Sequence, residues 1–174
     1  MLRNVICGVV VCLFSAGLSF GQELPKPGPE HEKLKAMEGD WNAVMEMAGQ
    51  KSEGKVTYKL VCGGMWLASD FQGDFGGMKF EGHGVDGYDL NKKKYVSVWV
   101  DSMGSAPLTQ EGDIDPNTKL LVMTGDSVGP DGKPQKLKST IEHKDKDHFT
   151  FKMYMVQPDG SEQQVFTIEY TRRK

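Results

Sequence analysis

From residue 39 onward the chain alternates apolar and polar residues in steps of two, and turn-forming residues interrupt the alternation about every ten positions. A period of two sends successive side chains to opposite faces of a strand, so the pattern prescribes a meandering antiparallel sheet. Segments 40–48, 54–62, 65–72, 79–88, 95–101, 108–113, 119–126, 135–143, 148–157 and 163–172 read as strands. Gly63-Gly64, Gly76-Gly77, Asp115-Pro116-Asn117 and Pro158-Asp159-Gly160 stand in the breaks, and these residue types accept turn dihedrals. An open sheet of this size leaves two edges free to pair, and closing the sheet on itself removes them. The expected fold is therefore all-β, a closed antiparallel up-and-down β-barrel of about ten strands with a short N-terminal helix.

The apolar stripes fit that shape. Trp41, Ala43, Met45 and Met47 share one face of the first strand, Phe149, Phe151, Met153 and Met155 one face of the ninth, and Phe166, Ile168 and Tyr170 one face of the last. These stripes are expected to point inward. Ahead of them, Pro29 can start a helix, with Glu30 and Glu32 early and Lys33 and Lys35 late, as the helix dipole favours; Gly39 can end it. Leu34 and Met37 would face the barrel.

Residues 1–21 read as a cleaved signal peptide, with Arg3 before an apolar run from Val5 to Phe20 and small residues Ser19 and Gly21 at the cut. The run is shorter than the ~20 residues of a spanning helix, which disfavours a retained anchor. Residues 22–30, with Pro25, Pro27 and Pro29, form a Pro-rich linker, and 31–174 form the barrel domain. A periplasmic or secreted protein is expected, with no stable membrane span after cleavage. Loss of the leader removes Cys7 and Cys12, leaving Cys62 alone and no intramolecular disulfide; Cys62 reads as a small buried apolar residue, with a reactive thiol as the lesser alternative. With 21 Lys and Arg against 24 Asp and Glu, the charge balance disfavours nucleic acid as a partner.

Gly39-Asp40-Trp41 after a short helix, the strand meander, and an Arg near the end of the last strand together resemble the calycins, which include lipocalins and fatty-acid-binding proteins. The resemblance implies that Gly39, Trp41 and Arg172 are barrel-closure residues, Trp41 plugging one end and Arg172 packing across it. A guanidinium stacked on an indole is sound physics in its own right. More closely, Gly87-Tyr88-Asp89, Val98-Trp99-Val100-Asp101-Ser102 and Glu169-Tyr170-Thr171-Arg172 resemble a bacterial family catalogued as domain of unknown function fifteen seventy-nine, over nearly all of 34–172. That likeness implies a calycin-like fold and a secreted habit, and no reaction.

Site candidates centre on the fifth strand. Tyr95, Ser97, Trp99 and Asp101 lie on one face, and Val96, Val98 and Val100 on the other; one face must be interior. If the first lines the lumen, Trp99 offers a stacking wall and Asp101 a carboxylate near the mouth. If the valines do, Trp99 is exterior and Asp101 solvated. Tyr88, Tyr95, Trp99 and Asp101 are the candidate ligand-binding residues for a small hydrophobic or amphipathic ligand, with Tyr88, Trp99 and Asp101 orienting it near an open end. Phe75, in Gly73-Asp74-Phe75-Gly76-Gly77, is expected on a mobile loop over that mouth.

No catalytic residue, metal site or cofactor is expected. His31, His83, His143 and His148 lack the spacing of a zinc or haem motif. Glu111, Asp113 and Asp101 could pair as acid and base, and Ser97 or Ser102 serve as a nucleophile, but none has a triad context. The reading is thus a ligand-binding barrel. Its alternatives are a filled barrel acting through its surface and, with less support, a haem protein or an enzyme modifying a small molecule.

Overall fold

The computed structural model describes residues 24–129 and 132–174; the expected leader, 1–21, lies outside them. Among the described residues one α-helix, α1 (His31–Met37), precedes ten strands: β1 (Gly39–Met47), β2 (Gln50–Val61), β3 (Trp66–Phe75), β4 (Met78–Asp89), β5 (Lys94–Asp101), β6 (Leu108–Ile114), β7 (Leu121–Val128), β8 (Pro134–His143), β9 (His148–Val156) and β10 (Glu162–Arg172). Each strand pairs antiparallel with its sequence neighbours, and β1 also pairs with β10, closing the barrel. The up-and-down barrel read from the alternation is the fold.

Two-residue turns hold the hairpins in register. Ala48 and Gly49, at φ 50° and 78°, join β1 to β2; Gly76 and Gly77, at φ 65° and 91°, join β3 to β4. Left-handed dihedrals at both central positions match the twist of the flanking strands. The second turn corrects the expectation of a mobile loop over the mouth. Phe75 is the last residue of β3, and its ring lies 4.9 Å from that of Phe80 on β4. In β10 the register shifts between Gln164 and Phe166, a bulge that precedes the inward-facing Phe166.

The meander places the β1–β2, β3–β4, β5–β6, β7–β8 and β9–β10 turns at one end. At the other, α1 packs against β2, β3 and β4. Seven residues are too few for a helix to hold itself together in water, so its packing must stabilise it. His31, Leu34 and Met37, spaced by three, are its buried face. Beneath them an aromatic layer fills the closed end: Trp41 meets Phe149 edge-on at 4.8 Å, and Phe149 stacks on Tyr170 at 4.2 Å.

Candidate functional site: the barrel lumen

The aromatic layer does not fill the barrel. A cavity of about 500 Å³ occupies the lumen above α1, within the range of small-molecule sites. Leu34 and Met37 border it from the helix; Met45, Phe71, Phe80, Trp99, Phe151 and Phe166 form much of its wall. It reaches solvent at the turn end, because Met47, Met78 and Met103 both line it and are half exposed, at 48%, 52% and 62%. A wider depression of about 890 Å³ crosses the outside of the barrel, but it is more open, and solvated side chains such as Glu53, Lys55, Asp74 and Lys79 border it.

The fifth strand turns its polar and aromatic face inward. Tyr95, Ser97, Trp99 and Asp101 border the cavity, whereas Val98 and Val100 are 44% and 45% exposed on the outer wall. The neighbouring strand explains why the larger ring fits. Gly84 is the β4 partner of Trp99, and Gly82 that of Asp101. A Cβ on Gly82 would lie 2.2 Å from Trp99 Cζ2, and one on Gly84 3.1 Å from Cε3. The indole therefore lies flat against bare β4 backbone. Its Nε1 donates to Asp101 Oδ2 at 2.9 Å.

Asp101 has little left for a ligand. Its Oδ1 accepts from Met103 N at 2.8 Å and Gly104 N at 3.0 Å, so the carboxylate shapes the β5–β6 turn and fixes Trp99. Tyr95 lies near the closed end, where its hydroxyl donates to Glu30 O at 3.0 Å. Burial, together with the Glu30 and Asp113 charges, pushes its phenol up to about 12. Tyr88 stacks edge-on against Tyr95 at 5.1 Å and His31 at 6.2 Å, and is not among the residues bordering the cavity. The expectation of Tyr88 near an open end beside Trp99 and Asp101 is thus corrected. Trp99 and Asp101 stand toward the mouth, Tyr88 and Tyr95 at the floor.

Sequence reasoning missed a polar row across the middle of the wall. Asp86 on β4 pairs in register with Ser97 on β5, and Ser97 with Gln110 on β6; all three border the cavity. Asp86 is half-buried, in a lumen walled largely by apolar side chains. Burial accordingly raises its carboxyl to about 6, against the opposing effect of a hydrogen bond with Ser97. The Tyr58 and Tyr170 phenols, hydrogen-bonded to each other, lie near enough to feel its charge, and burial raises both. Gln110 Oε1 accepts from Ser139 Oγ at 2.9 Å, while Gln110 Nε2, shut away from solvent, has no partner among the described residues. An unmet buried amide N–H costs about 1–3 kcal/mol.

Other chemistry-bearing residues lie elsewhere. Among the described residues no histidine or cysteine borders the cavity, and no His, Cys, Asp or Glu cluster could hold a metal. His83 is on the outer face of β4, 2.7 Å from Asp70 and 3.1 Å from Glu81. Glu111 takes Lys92 and Lys94 at 2.8 and 2.7 Å, and these hydrogen bonds hold its carboxyl down at about 2, far from a general base at neutral pH. Cys62 is exposed at the β2–β3 turn with φ 50°, against the expectation of burial.

Several solved structures resemble the barrel. The crystal structure of Rv2717c from M. tuberculosis superposes with a TM-score of 0.61 at 13% identity, covering 84% of this chain and 99% of that one. The S-type phycobiliprotein lyase CPES from Guillardia theta gives 0.56 at 10% identity, covering 83% and 93%. At such identities the likeness is one of fold. No curated protein sequence matches the chain. A family match spans residues 26–172, nearly the whole described chain, and the protein belongs to the family described as Protein of unknown function (DUF1579).

Proposed function

We propose that the protein is a container: it binds a small, largely apolar ligand non-covalently in the barrel lumen. The observation that carries this reading is the cavity of about 500 Å³, walled by aromatic and Met side chains and open at one end. Apolar surface leaving water would supply most of the affinity, at ~25 cal/mol per Å². Met side chains at the mouth can adjust to ligand shape, while Trp99, held by Asp101 and the β4 glycines, is a fixed wall. Among the described residues, none that borders the lumen offers an imidazole or thiolate to a haem iron. The likeness to the phycobiliprotein lyase supports the barrel as a scaffold and brings none of that protein's reaction here. We place the protein outside the cytoplasm on the strength of its leader, which fractionation of the native host would test.

Uptake of N-phenyl-1-naphthylamine, an uncharged fluorophore that brightens in apolar surroundings, tests the container. Saturable brightening that is lost in Trp99→Ala, with the fold retained, supports it. A folded protein that takes up nothing favours the second reading, a module acting through its outer wall. That reading has its own observation: Trp66, Val85, Val98 and Val100 are all exposed on the outer faces of β3, β4 and β5.

A further inference from the structure

We propose that the lumen takes an amphipathic organic cation, a protonated primary amine on an apolar body, whose ammonium docks at the Asp86 carboxylate. The proposal rests on the container reading and adds the charge and chemistry of the ligand's polar end.

Among the described residues, the charged side chains that border the cavity are Asp86 and Asp101, and no Lys, Arg or His joins them. The lining thus carries charge of one sign, within apolar walls that screen it poorly. The two carboxylates differ in what they have left to give. Asp101 already accepts from Trp99 Nε1, Met103 N and Gly104 N, at 2.9, 2.8 and 3.0 Å. Asp86 is half-buried on the inward face of β4 and has Ser97 as its hydrogen-bond partner. A carboxylate offers about four lone-pair sites, so Asp86 keeps capacity for a ligand donor. Burial raises its carboxyl to about 6, so at pH 8 the empty lumen holds an ionised group with no bordering countercharge.

Strand register gives the ligand a direction. Gly82 pairs with Asp101 toward the mouth, Gly84 with Trp99, and Asp86 with Ser97 one inward position deeper. Trp99 is therefore the diagonal neighbour of Asp86, about 7–8 Å away along the sheet. Its indole lies flat against the β4 glycines and turns the other face to the lumen, and an indole face attracts a cation. An ammonium at Asp86 would have the carboxylate as acceptor and the ring beside it. Its apolar remainder would run past Phe71 and Phe80 to Met47, Met78 and Met103 at the mouth.

Charge ranks the rivals. A carboxylate head would bring a second negative charge beside Asp86, where water screens it little. A hydroxyl head can donate a hydrogen bond but supplies no countercharge. The ammonium supplies both, and because Asp86 loses much of its hydration when the barrel folds, the hydration still to be lost on pairing is chiefly the ligand's.

Displacement of N-phenyl-1-naphthylamine by decylamine, decanol and decanoate at pH 8 separates these cases, in about 0.15 M salt to damp attraction of the amine to the acidic outer surface. Decylamine is expected to compete at about tenfold lower concentration than decanoate or less, with decanol between them. Asp86→Asn, a nearly isosteric change, is expected to erase most of the amine's advantage. The ratio of amine to carboxylate is taken within each protein, so a change in fluorophore affinity cancels. Competition by decanoate or decanol equal to or better than that by decylamine, or an undiminished amine advantage in Asp86→Asn, overturns the cation site and leaves the container standing. Absence of fluorophore uptake by the folded protein overturns both.

Discussion

The Arg172 guanidinium lies 4.1 Å from the centre of the Trp41 ring, and between them the two side chains bond three successive carbonyls at the end of α1. Arg172 donates to Ala36 O at 2.7 Å and Glu38 O at 2.6 Å; Trp41 Nε1 donates to Met37 O at 2.8 Å. Helix ends leave such carbonyls without intrahelical partners. Trp41 and Arg172 are also register partners where β1 meets β10. One cluster therefore ties the seam of the barrel to the helix that seals its floor.

Trp41→Ala should cost about 3–5 kcal/mol in urea unfolding, the range for a buried aromatic. Arg172→Lys should cost about 1–2 kcal/mol, because an ammonium can neither stack as a plane nor reach both carbonyls in a fixed fork. Both variants should keep the ligand preference of the parent, since the cluster lies below the cavity. An unchanged midpoint in Trp41→Ala would show that α1 alone seals the floor.

Gly82→Ala should act on the lumen through Trp99. The new methyl occupies the place of the indole edge, and a rigid ring cannot yield as a flexible chain would, so the indole must swing inward. The expected result is fluorophore binding weakened about tenfold or more, with a stability loss of about 1–3 kcal/mol from overpacking. Undiminished binding with an unaltered Trp emission spectrum would refute the slot.

The strand count, the turns and the inward stripes were legible because period-two alternation is a local property. The face of β5 was not, because each of its faces was a credible interior and the choice lay on β4. Gly82 and Gly84 alternate along that strand, a signal that a bulky ring lies opposite, but single-chain reading carries no pairing information. Asp86 and Gln110 were hidden for a different reason. Parity places Asp86 with Gly84 and Tyr88, and Gln110 with Leu108 and Gly112, so their inward direction could be read. A polar residue on an inward stripe was instead passed over, since burial without a partner is normally too costly.

Cys62 makes a simple test of the β2–β3 turn. Its side chain is exposed in a left-handed turn, so a thiol reagent should label the native protein completely without denaturant. Labelling should leave the unfolding free energy within about 0.5 kcal/mol of the parent, as for a surface substitution. Protection until unfolding would restore the buried reading made from the sequence.

Asp86 should leave a mark on stability as a function of pH. Its folded carboxyl titrates at about 6 against an ordinary 3.8, so between those values the folded state binds more protons than the unfolded chain. A group raised in this way destabilises the fold as pH climbs, with its contribution fully present below pH 4 and lost above pH 6. At 1.36 kcal/mol per unit the loss is at most about 3 kcal/mol. The groups facing Asp86 do not blur the window, since Tyr58 on β2 and Tyr170 on β10 are held neutral by burial, Ser97 does not ionise, and α1 contributes only Leu34 and Met37 to the cavity. Carboxylates such as Glu111, depressed by Lys92 and Lys94, act in the opposite sense over a lower range, so the readout is the difference between parent and Asp86→Asn. That difference should grow in favour of the variant between pH 4 and 6 and then level off. A difference independent of pH would place the Asp86 carboxyl in contact with water. If the slope appears, the ionised carboxylate is a standing cost of the empty lumen, and a ligand donor that binds it should raise stability most above pH 6.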